Sequence, residues 1–332
     1  MKVVSLFSGC GGSDLGLIGG FTFLNKRYKK LSFDVVFAID NDSKAAETYN
    51  NNFKIPCTIA DIVQYNIKNI PNADLIVGGF PCQSFSTVNP TKNPHDKRGK
   101  LYIKMANILK QKQPKFFIAE NVKGMLVLQK GKIYKAIERK FSKQGYIVKH
   151  QLIHAADFGI PQKRERVFMV GVRKDIPLDF KFPKPTHSEK GVGKKNWISL
   201  GKVIDELELE DDKYYFSKRA VNGMKRAKNN MKRGLAQDLS KPCLTITSHL
   251  AKVSINSRDP VLLVNEKKEL YRRFTPKEAA RIQSFPDKFI FPVSETQAYK
   301  QIGNAIAPVL MWHVAQALMK QIKKCDRHLC IF

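Results

Sequence analysis

Short apolar runs alternate with amphipathic segments through the first half of the chain, and this alternation limits the folds that it can adopt. Segments 43–53 and 101–113 carry apolar residues at helical spacing. Alternation of strands and helices predicts an α/β protein with a doubly wound sheet, which binds ligands at the carboxyl ends of its strands. The apolar runs that predict buried strands are residues 3–7, 35–39, 75–77, 116–119 and 167–172.

The alternation stops near residue 175. Residues 179–200 are rich in proline and glycine, which favours a linker or the start of an irregular domain. Helical spacing returns at 276–284 and at 305–322. We therefore predict a second, smaller, irregular unit in the C-terminal half.

The chain carries a large positive charge. Its 332 residues include 58 Lys+Arg and 29 Asp+Glu, for a formal net charge of +29. Such an excess attracts polyanions, of which nucleic acid is the commonest, although a generally basic host proteome would explain part of it. No stretch approaches the ~20 apolar residues of a membrane helix, so no membrane partner is expected.

Cysteine spacing bears on compartment and metal binding. The six cysteines show no disulfide framework, which favours a reducing cytoplasm. Cys325 and Cys330 flank His328, but two thiols and one imidazole do not complete a tetrahedral zinc site. We therefore predict a cytoplasmic protein and no bound metal.

A basic segment lies within the second unit. Residues 213–233 contain eight Lys/Arg and no acid, and Tyr214, Tyr215 and Phe216 stand among them. Aromatic side chains beside clustered positive charge are typical of phosphate contact with base stacking. A solvated helical face explains the same pattern, and both interpretations stay open.

Cys82 is the candidate nucleophile. It follows Pro81 shortly after the apolar run 75–77, so it is expected at a strand terminus. Thiolates are the strongest side-chain nucleophiles near neutral pH, and they act where a lowered pKa and partial exposure combine. If Cys82 has this role, it decides the reaction class.

Polar features follow the first three predicted strands. The sequence Phe-Ser-Gly-Cys-Gly-Gly at residues 7–12 permits a tight turn close to a ligand. Asp40 ends the second strand, where nucleotide sites place an acid against ribose hydroxyls. Asp61 and Ile62 follow the next short strand and could contact an adenine amine and ring. The series predicts a nucleotide-type cofactor site.

Charged residues also end the later strands. Glu120 is expected near Cys82 at the same sheet edge. Strand alternation directs Arg164 and Arg166 to one side, where they suit a clamp for a carbonyl or phosphate oxygen. A surface ladder of salt bridges is the alternative for the arginines.

The motifs that contain these residues resemble the cytosine-5 DNA methyltransferases of bacterial restriction–modification systems. They follow the order of that family over nearly the whole chain, with residues 180–270 as the variable part. The matching blocks are FSGCGG (7–12), GGFPCQSFS (78–86), RGKLY (98–102), ENV (120–122), QKRERVF (162–168), RRFTPKEAARIQSFP (272–286) and QIGNAIAPV (301–309).

The resemblance implies a fold and a division into domains. The fold is that of S-adenosylmethionine-dependent methyltransferases, with a doubly wound mixed sheet. Residues 1–178 and 297–332 would form the catalytic, cofactor-binding domain. Residues 179–272 would form a smaller target-recognition domain, and residues 273–296 a hinge region.

The resemblance also implies a reaction on a cytosine that is flipped out of double-stranded DNA. The Cys82 thiolate would add to C6, so that C5 attacks the methyl group of S-adenosyl-L-methionine, and S-adenosyl-L-homocysteine would be the product. Glu120 would bond N3 and the exocyclic amine, which the Phe80 carbonyl would also contact. Arg166 would hold O2, and Arg164 would position Cys82 or a neighbouring phosphate.

Residues 84–100 resemble the mobile active-site loop of the family, which closes over DNA. The segment 245–249, between two basic stretches, is the predicted reader of base edges. The predicted DNA-binding residues are Gln83, Ser86, Lys97, Arg98, Thr245 and Thr247.

The implied cofactor residues surround the glycine turn, the two acids and the last motif. Asn41 stands where relatives often place a large side chain against adenine, so adenine packing would depend on Phe7 and Ile62. Ala305 stands where some relatives carry serine. The full set is Phe7, Gly9, Cys10, Gly11, Gly12, Asp40, Asp61, Ile62, Gly79, Pro81, Leu101, Asn304 and Ala305.

Two other functions compete with DNA methylation. Transfer-RNA cytosine-5 methyltransferases share the PCQ and ENV blocks, but they typically carry Cys-Phe-Thr where this chain has Cys-Leu-Thr at 243–245. A DNA-binding protein without catalysis would not need Cys82, Glu120 and Arg166 together. We expect a monomer that acts on double-stranded DNA, paired functionally with a cognate restriction endonuclease.

Overall fold

A mixed sheet of seven strands forms the centre of the protein. The computed structural model describes residues 1–80, 101–226, 235–252 and 260–329. The spatial order is β3-β2-β1-β4-β5-β7-β6 for strands numbered along the chain. The strands are β1 (Lys2–Leu6), β2 (Asp34–Asp40), β3 (Cys57–Ile59), β4 (Leu75–Gly78), β5 (Phe116–Val122), β6 (Tyr146–His154) and β7 (Glu165–Arg173).

The strand directions make the sheet mixed. Strands β1 to β5 pair in parallel. Strand β7 runs antiparallel to both of its neighbours, β5 and β6. The carboxyl ends of β1 to β6 therefore meet at one edge, where β7 begins. This doubly wound mixed sheet confirms the predicted fold class.

Helices cover both faces of the sheet because its central strands are apolar on both sides. In β1, Val3 packs in the hydrophobic cluster that contains the helix Pro308–Leu329, whereas Val4 packs in the cluster that contains the helices Leu101–Lys112 and Lys132–Ser142. The helices are α1 (Gly12–Ile18), α2 (Ser43–Asn52), α3 (Leu101–Lys112), α4 (Gly124–Val127), α5 (Lys132–Ser142), α6 (Lys218–Arg226), α7 (Pro276–Ile282), α8 (Glu295–Asn304) and α9 (Pro308–Leu329).

The described residues between β7 and α7 form short elements, apart from α6. Two-residue strands pair Gln162–Lys163 with Cys243–Leu244 and His187–Ser188 with Lys195–Asn196. Buried Leu200, Cys243 and Ile246 share a hydrophobic cluster with α9, so this region packs onto that face of the sheet.

The remaining short strands are Phe21–Phe23 with Lys26–Tyr28, and Leu262–Asn265 with Leu270–Arg272. The short 3-10 helices are Ile67–Asn69, Leu128–Gly131, Ala155–Phe158, Leu200–Lys202, Asp212–Tyr214 and Leu250–Lys252.

A buried ion pair fixes this region to α7. Arg272 is fully buried, and its guanidinium donates to both carboxylate oxygens of Glu278 at 2.7 and 2.8 Å. It also donates to the carbonyls of Glu206, Leu207 and Arg273. Thr275 and Glu278 cap α7 reciprocally. One arginine thus fixes the start of α7 against the acidic segment before α6.

Contrary to the expectation from the sequence, one helical stretch among the described residues, Glu295–Cys325, is long and apolar enough to span a membrane by composition. Its apolar window is 78% buried inside the protein. It covers α8 and α9 as far as Cys325, and both helices pack against the sheet. Burial within the fold explains its apolar character.

Candidate active site

A cavity of about 780 Å³ opens where the carboxyl ends of the strands meet. This volume is within the range of cofactor and substrate sites. It brings together residues that the sequence predicted for cofactor binding and for catalysis. These are Phe7, Gly9, Cys10, Gly12, Asp40, Gly79, Asn304 and Ala305, with Glu120, Arg164 and Arg166.

The turn after β1 is held against the end of β2. The backbone N–H of Gly9 donates to Asp40 Oδ2 at 2.8 Å, and that of Asp42 donates to Oδ1 at 2.9 Å. Phe7 and Gly9 have φ angles of 56° and 54°, and a Cβ added to Gly9 would meet no atom within 4 Å. The turn therefore leaves open space beside an acidic side chain.

Gly11 and Gly12 allow close packing against neighbouring segments. A Cβ on Gly11 would lie 2.2 Å from the Phe53 ring, and one on Gly12 would lie 2.6 Å from the Ile306 carbonyl oxygen. Gly12 lets the segment after α8 approach the first turn of α1. Gly11 lies outside the cavity wall.

A buried carboxyl that the sequence did not predict, Asp14, supports the turn. Ser5 Oγ and Tyr49 Oη each donate to its carboxylate at 2.8 Å. Burial raises the pKa of Asp14 to about 6, although both hydrogen bonds oppose the increase. Only its position two residues after the glycine turn could have marked it.

Glu120 and Arg166 form an ion pair on the other wall of the cavity. Arg166 Nε lies 3.0 Å from Glu120 Oε1, because Arg166 enters β7 beside the end of β5. Burial raises the pKa of Glu120, and the charges of Arg166 and Arg164 oppose that increase. The pair presents a carboxyl group and a guanidinium to the same space.

Arg164 points into the protein, where it joins three segments. Its guanidinium donates to the carbonyls of Ile246, Gly303 and Ala305 at 3.1–3.2 Å. Burial and the neighbouring Arg166 lower the pKa of Arg164. Its predicted role at Cys82 stays a prediction, whereas its contacts connect the variable region to the cavity wall.

Two buried amides extend this connection. Gln162 accepts from the backbone N–H of Ile246 at 3.1 Å and donates to Gln283 Oε1 at 2.7 Å. Gln283 in turn donates to the Ala305 carbonyl oxygen at 2.5 Å. Gly303 lies directly under this segment, since an added Cβ would lie 2.2 Å from the carbonyl carbon of Thr247.

Asn121 fixes the chain just before the predicted nucleophile. Its side-chain amide donates to the Phe80 carbonyl oxygen at 2.9 Å, and its Oδ1 accepts from the N–H of Val122 at 2.9 Å. The ENV block predicted the importance of this region, but the role of its asparagine was missed.

Besides Gly11, three predicted cofactor residues lie outside the cavity wall. Asp61 accepts locally from the N–H of Val63 at 2.9 Å. Ile62 is buried in the cluster with α3, and Leu101 packs against the same cluster. Lys104 of α3 donates to the Val63 carbonyl at 3.1 Å, which holds this loop against the helix. Their contact with adenine stays a prediction.

The predicted DNA contacts divide into two groups. Thr245 Oγ1 donates to the Lys163 carbonyl at 2.8 Å, and Thr247 Oγ1 accepts from the N–H of His249 at 3.1 Å. Both threonines are half-buried. Several predicted site residues lie outside the described residues, namely Pro81, Cys82, Gln83, Ser86, Lys97 and Arg98.

The aromatic residues of the basic segment make contacts within the protein. Tyr214 Oη donates to Glu295, and Tyr215 Oη donates to the Leu209 carbonyl. The Phe216 ring lies 5.4 Å from the Arg273 guanidinium. Helix α6 buries Val221 and leaves its Lys and Arg side chains exposed, which fits a solvated helical face and phosphate contact equally.

Comparison with known proteins identifies the family. Residues 1–324 match the C-5 cytosine-specific DNA methylase family. The chain is 35% identical to Type II methyltransferase M1.ScrFI of Lactococcus lactis subsp. cremoris, over 98% of this chain and 80% of that protein. It is 33% identical to M.FnuDI of Fusobacterium nucleatum, over 97% and 95%. The chain belongs to this family and is a DNA (cytosine-5) methyltransferase.

Solved structures share the fold. A mutant of Spodoptera frugiperda DNMT2 superposes with a TM-score of 0.74 at 21% identity, over 96% of this chain and 99% of that one. Schizosaccharomyces pombe Dnmt2 superposes with a TM-score of 0.71 at 20% identity, over 97% and 99%. These likenesses concern the fold alone. The family membership does not favour the transfer-RNA alternative.

Proposed function

We propose that this enzyme methylates C5 of a flipped-out cytosine in a specific short sequence of double-stranded DNA, through a covalent Cys82–C6 adduct. The observation that supports the proposal most is the Glu120–Arg166 pair, 3.0 Å apart, in the cavity that also holds the Asp40 turn. One cavity thus offers groups for a pyrimidine ring and for a nucleoside.

The residues present fit S-adenosyl-L-methionine. The open space at Gly9 and the Asp40 carboxylate suit a ribose, and Phe7 supplies an apolar face beside them. Gly79, Asn304 and Ala305 would complete the site. When bound, the cofactor supplies an electrophilic methyl group.

Cys82 would act as the nucleophile. Addition of its thiolate to C6 gives C5 enamine character, and after C5 is methylated, loss of the C5 proton and expulsion of the thiolate restore the ring. Burial raises the pKa of the Cys10 and Cys57 thiols to about 12, so both stay protonated near neutral pH. The chemistry of these two thiols does not compete with that of Cys82.

Glu120 and Arg166 would hold the ring. Because burial raises the pKa of Glu120, its carboxyl retains a proton more readily and can donate it in a hydrogen bond to N3. Arg166 would donate to O2. Both contacts strengthen as negative charge develops on the ring during sulfur addition.

The experiment is methyl transfer from tritiated S-adenosyl-L-methionine to duplex DNA and, separately, to transfer RNA. We expect label in DNA only, and none with Cys82→Ser. Cys325→Ser is the matched control, because Cys325 lies on α9 and contacts the Pro177 carbonyl. Label in RNA only, or full label with Cys82→Ser, would overturn the proposal.

We further propose the organisation and setting of the enzyme. Residues 1–178 and 297–332 would act as the catalytic domain, 179–272 as the target-recognition domain and 273–296 as the hinge region. The enzyme would work as a cytoplasmic monomer that protects DNA from a cognate restriction endonuclease. Bisulfite sequencing of the methylated DNA would give the recognition sequence.

A further inference from the structure

We propose that Lys163, His154 and Trp197 form a contact surface for the sugar–phosphate backbone of double-stranded DNA, an inference that rests on the proposed function. We call these three residues the Trp197 surface. Lys163 would donate to a phosphate oxygen, and the indole of Trp197 would pack on the adjacent deoxyribose.

The three side chains form a fixed, partly exposed cluster. The Lys163 ammonium lies 5.6 Å from the centroid of the Trp197 ring, and the His154 ring centroid lies 5.2 Å from it. Trp197 Nε1 donates to Asp157 Oδ1 at 2.8 Å, which sets the orientation of the indole. All three residues are half-buried, so each retains surface that a ligand can reach.

The Trp197 surface lies at the same edge of the sheet as the active site. His154 ends β6 and pairs with Glu165 at the start of β7, next to Arg166. Lys163 directly precedes Arg164, and its carbonyl accepts from Thr245 of the predicted readout segment. The surface therefore lies at the sheet edge that carries the cavity, where a duplex with a flipped cytosine would have to bind.

The charge of the neighbouring loop fits a polyanion. Residues 187–196 lead into Trp197 and contain three exposed lysines, Lys190, Lys194 and Lys195, against the single acid Glu189. Phosphate contacts supply most of the affinity of such interfaces and position the protein on the duplex. An apolar ring beside a cation suits the sugar and phosphate together.

Intrinsic fluorescence tests the proposal, because the chain has only two tryptophans and Trp312 is 6% exposed. We expect duplex DNA to shift the emission of Trp197 and to protect this residue from quenching by acrylamide. Both changes should have the midpoint of DNA binding, which fluorescence anisotropy of labelled DNA measures. In Trp197→Phe only Trp312 remains, and its emission should not respond. Transfer RNA should produce neither change.

A charge variant gives an independent measurement. Lys163→Gln should reduce the slope of log affinity against log salt by about 0.9, as expected for one lost phosphate contact. Lys110→Gln is the matched control, since Lys110 is an exposed residue of α3 near the end remote from the cavity. Thermal denaturation would verify that both variants are folded.

The outcomes separate the two proposals. Duplex DNA could bind while the Trp197 emission stays unchanged and Lys163→Gln leaves the slope of log affinity against log salt unchanged. In that case the proposed role of the Trp197 surface is wrong and the proposed function stands. A response to transfer RNA alone also contradicts the surface. If the protein neither binds nor methylates duplex DNA, the proposed function itself is wrong.

Discussion

Asp14 is a carboxyl that the fold buries completely, and its replacement should change how stability depends on pH. Its exposed fraction is 0%, and Ser5 and Tyr49 supply its hydrogen bonds. Burial raises its pKa from 3.8 to about 6. We expect Asp14→Asn to remove this titration while preserving the shape of the side chain.

The sign and size follow from proton linkage. A carboxyl whose pKa is higher in the folded chain binds its proton more tightly there. The contribution of Asp14 to the free energy of unfolding is therefore fully present below pH 3.8 and is lost as pH rises through about 6. An increase of about 2 pKa units corresponds to about 3 kcal/mol once both states are ionised. Between about pH 4.5 and 7.5, wild type should lose about 2 kcal/mol relative to Asp14→Asn.

Urea denaturation at several pH values measures this difference. The free energy of unfolding of Asp14→Asn minus that of wild type should increase with pH across this range. Asp34→Asn, at an exposed position in β2, is the matched control and should give a constant difference. Parallel curves for Asp14→Asn and wild type would refute the reasoning.

Substitutions at three other contacts should lower stability by different amounts. Arg272→Met leaves Glu278 buried without its cation and should cost about 3–5 kcal/mol in unfolding free energy, measured by urea denaturation. Lys300→Met breaks the exposed 2.8 Å pair with Asp42 and should cost less than about 1 kcal/mol by the same measurement; a larger loss would contradict the view that exposure screens this pair. Gly303→Ala gains about 1 kcal/mol of helix propensity in α8, yet its Cβ would overlap the backbone that crosses it. Thermal denaturation and DNA binding should therefore both show a loss, and an unchanged affinity for DNA would argue against the close approach.

The part of the site nearest the strand ends was predictable from the sequence. Asp40 and Glu120 follow apolar runs, and parallel strands bring their carboxyl ends to one edge. Strand β6 was not predicted, because its half-buried residues show neither clean alternation nor a continuous apolar run. Helix α5 was also missed, although its apolar face is buried at Ile137 and Phe141.

Long-range contacts were beyond prediction. Arg164 and Arg166 are two residues apart, and strand alternation placed them on one side, but Arg164 bonds backbone atoms more than 80 residues away. Asp61 was assigned from its place after a strand. Its Oδ1 also accepts a local backbone N–H, a contact that only the geometry of the turn shows.

The hydrogen bonds that connect the variable region, residues 180–270, to the cavity wall are made to main-chain atoms. Arg164 and Gln162 hold the carbonyl and N–H of Ile246, and the N–H of Cys243 donates to the Pro161 carbonyl at 2.9 Å. Backbone groups are the same whichever residue carries them, so the half-exposed positions Leu244 and Thr247 can change without disturbing these bonds. Under the proposed role of this segment in base readout, a new sequence preference would arise by substitution at such positions while the chemistry of the cavity is inherited intact.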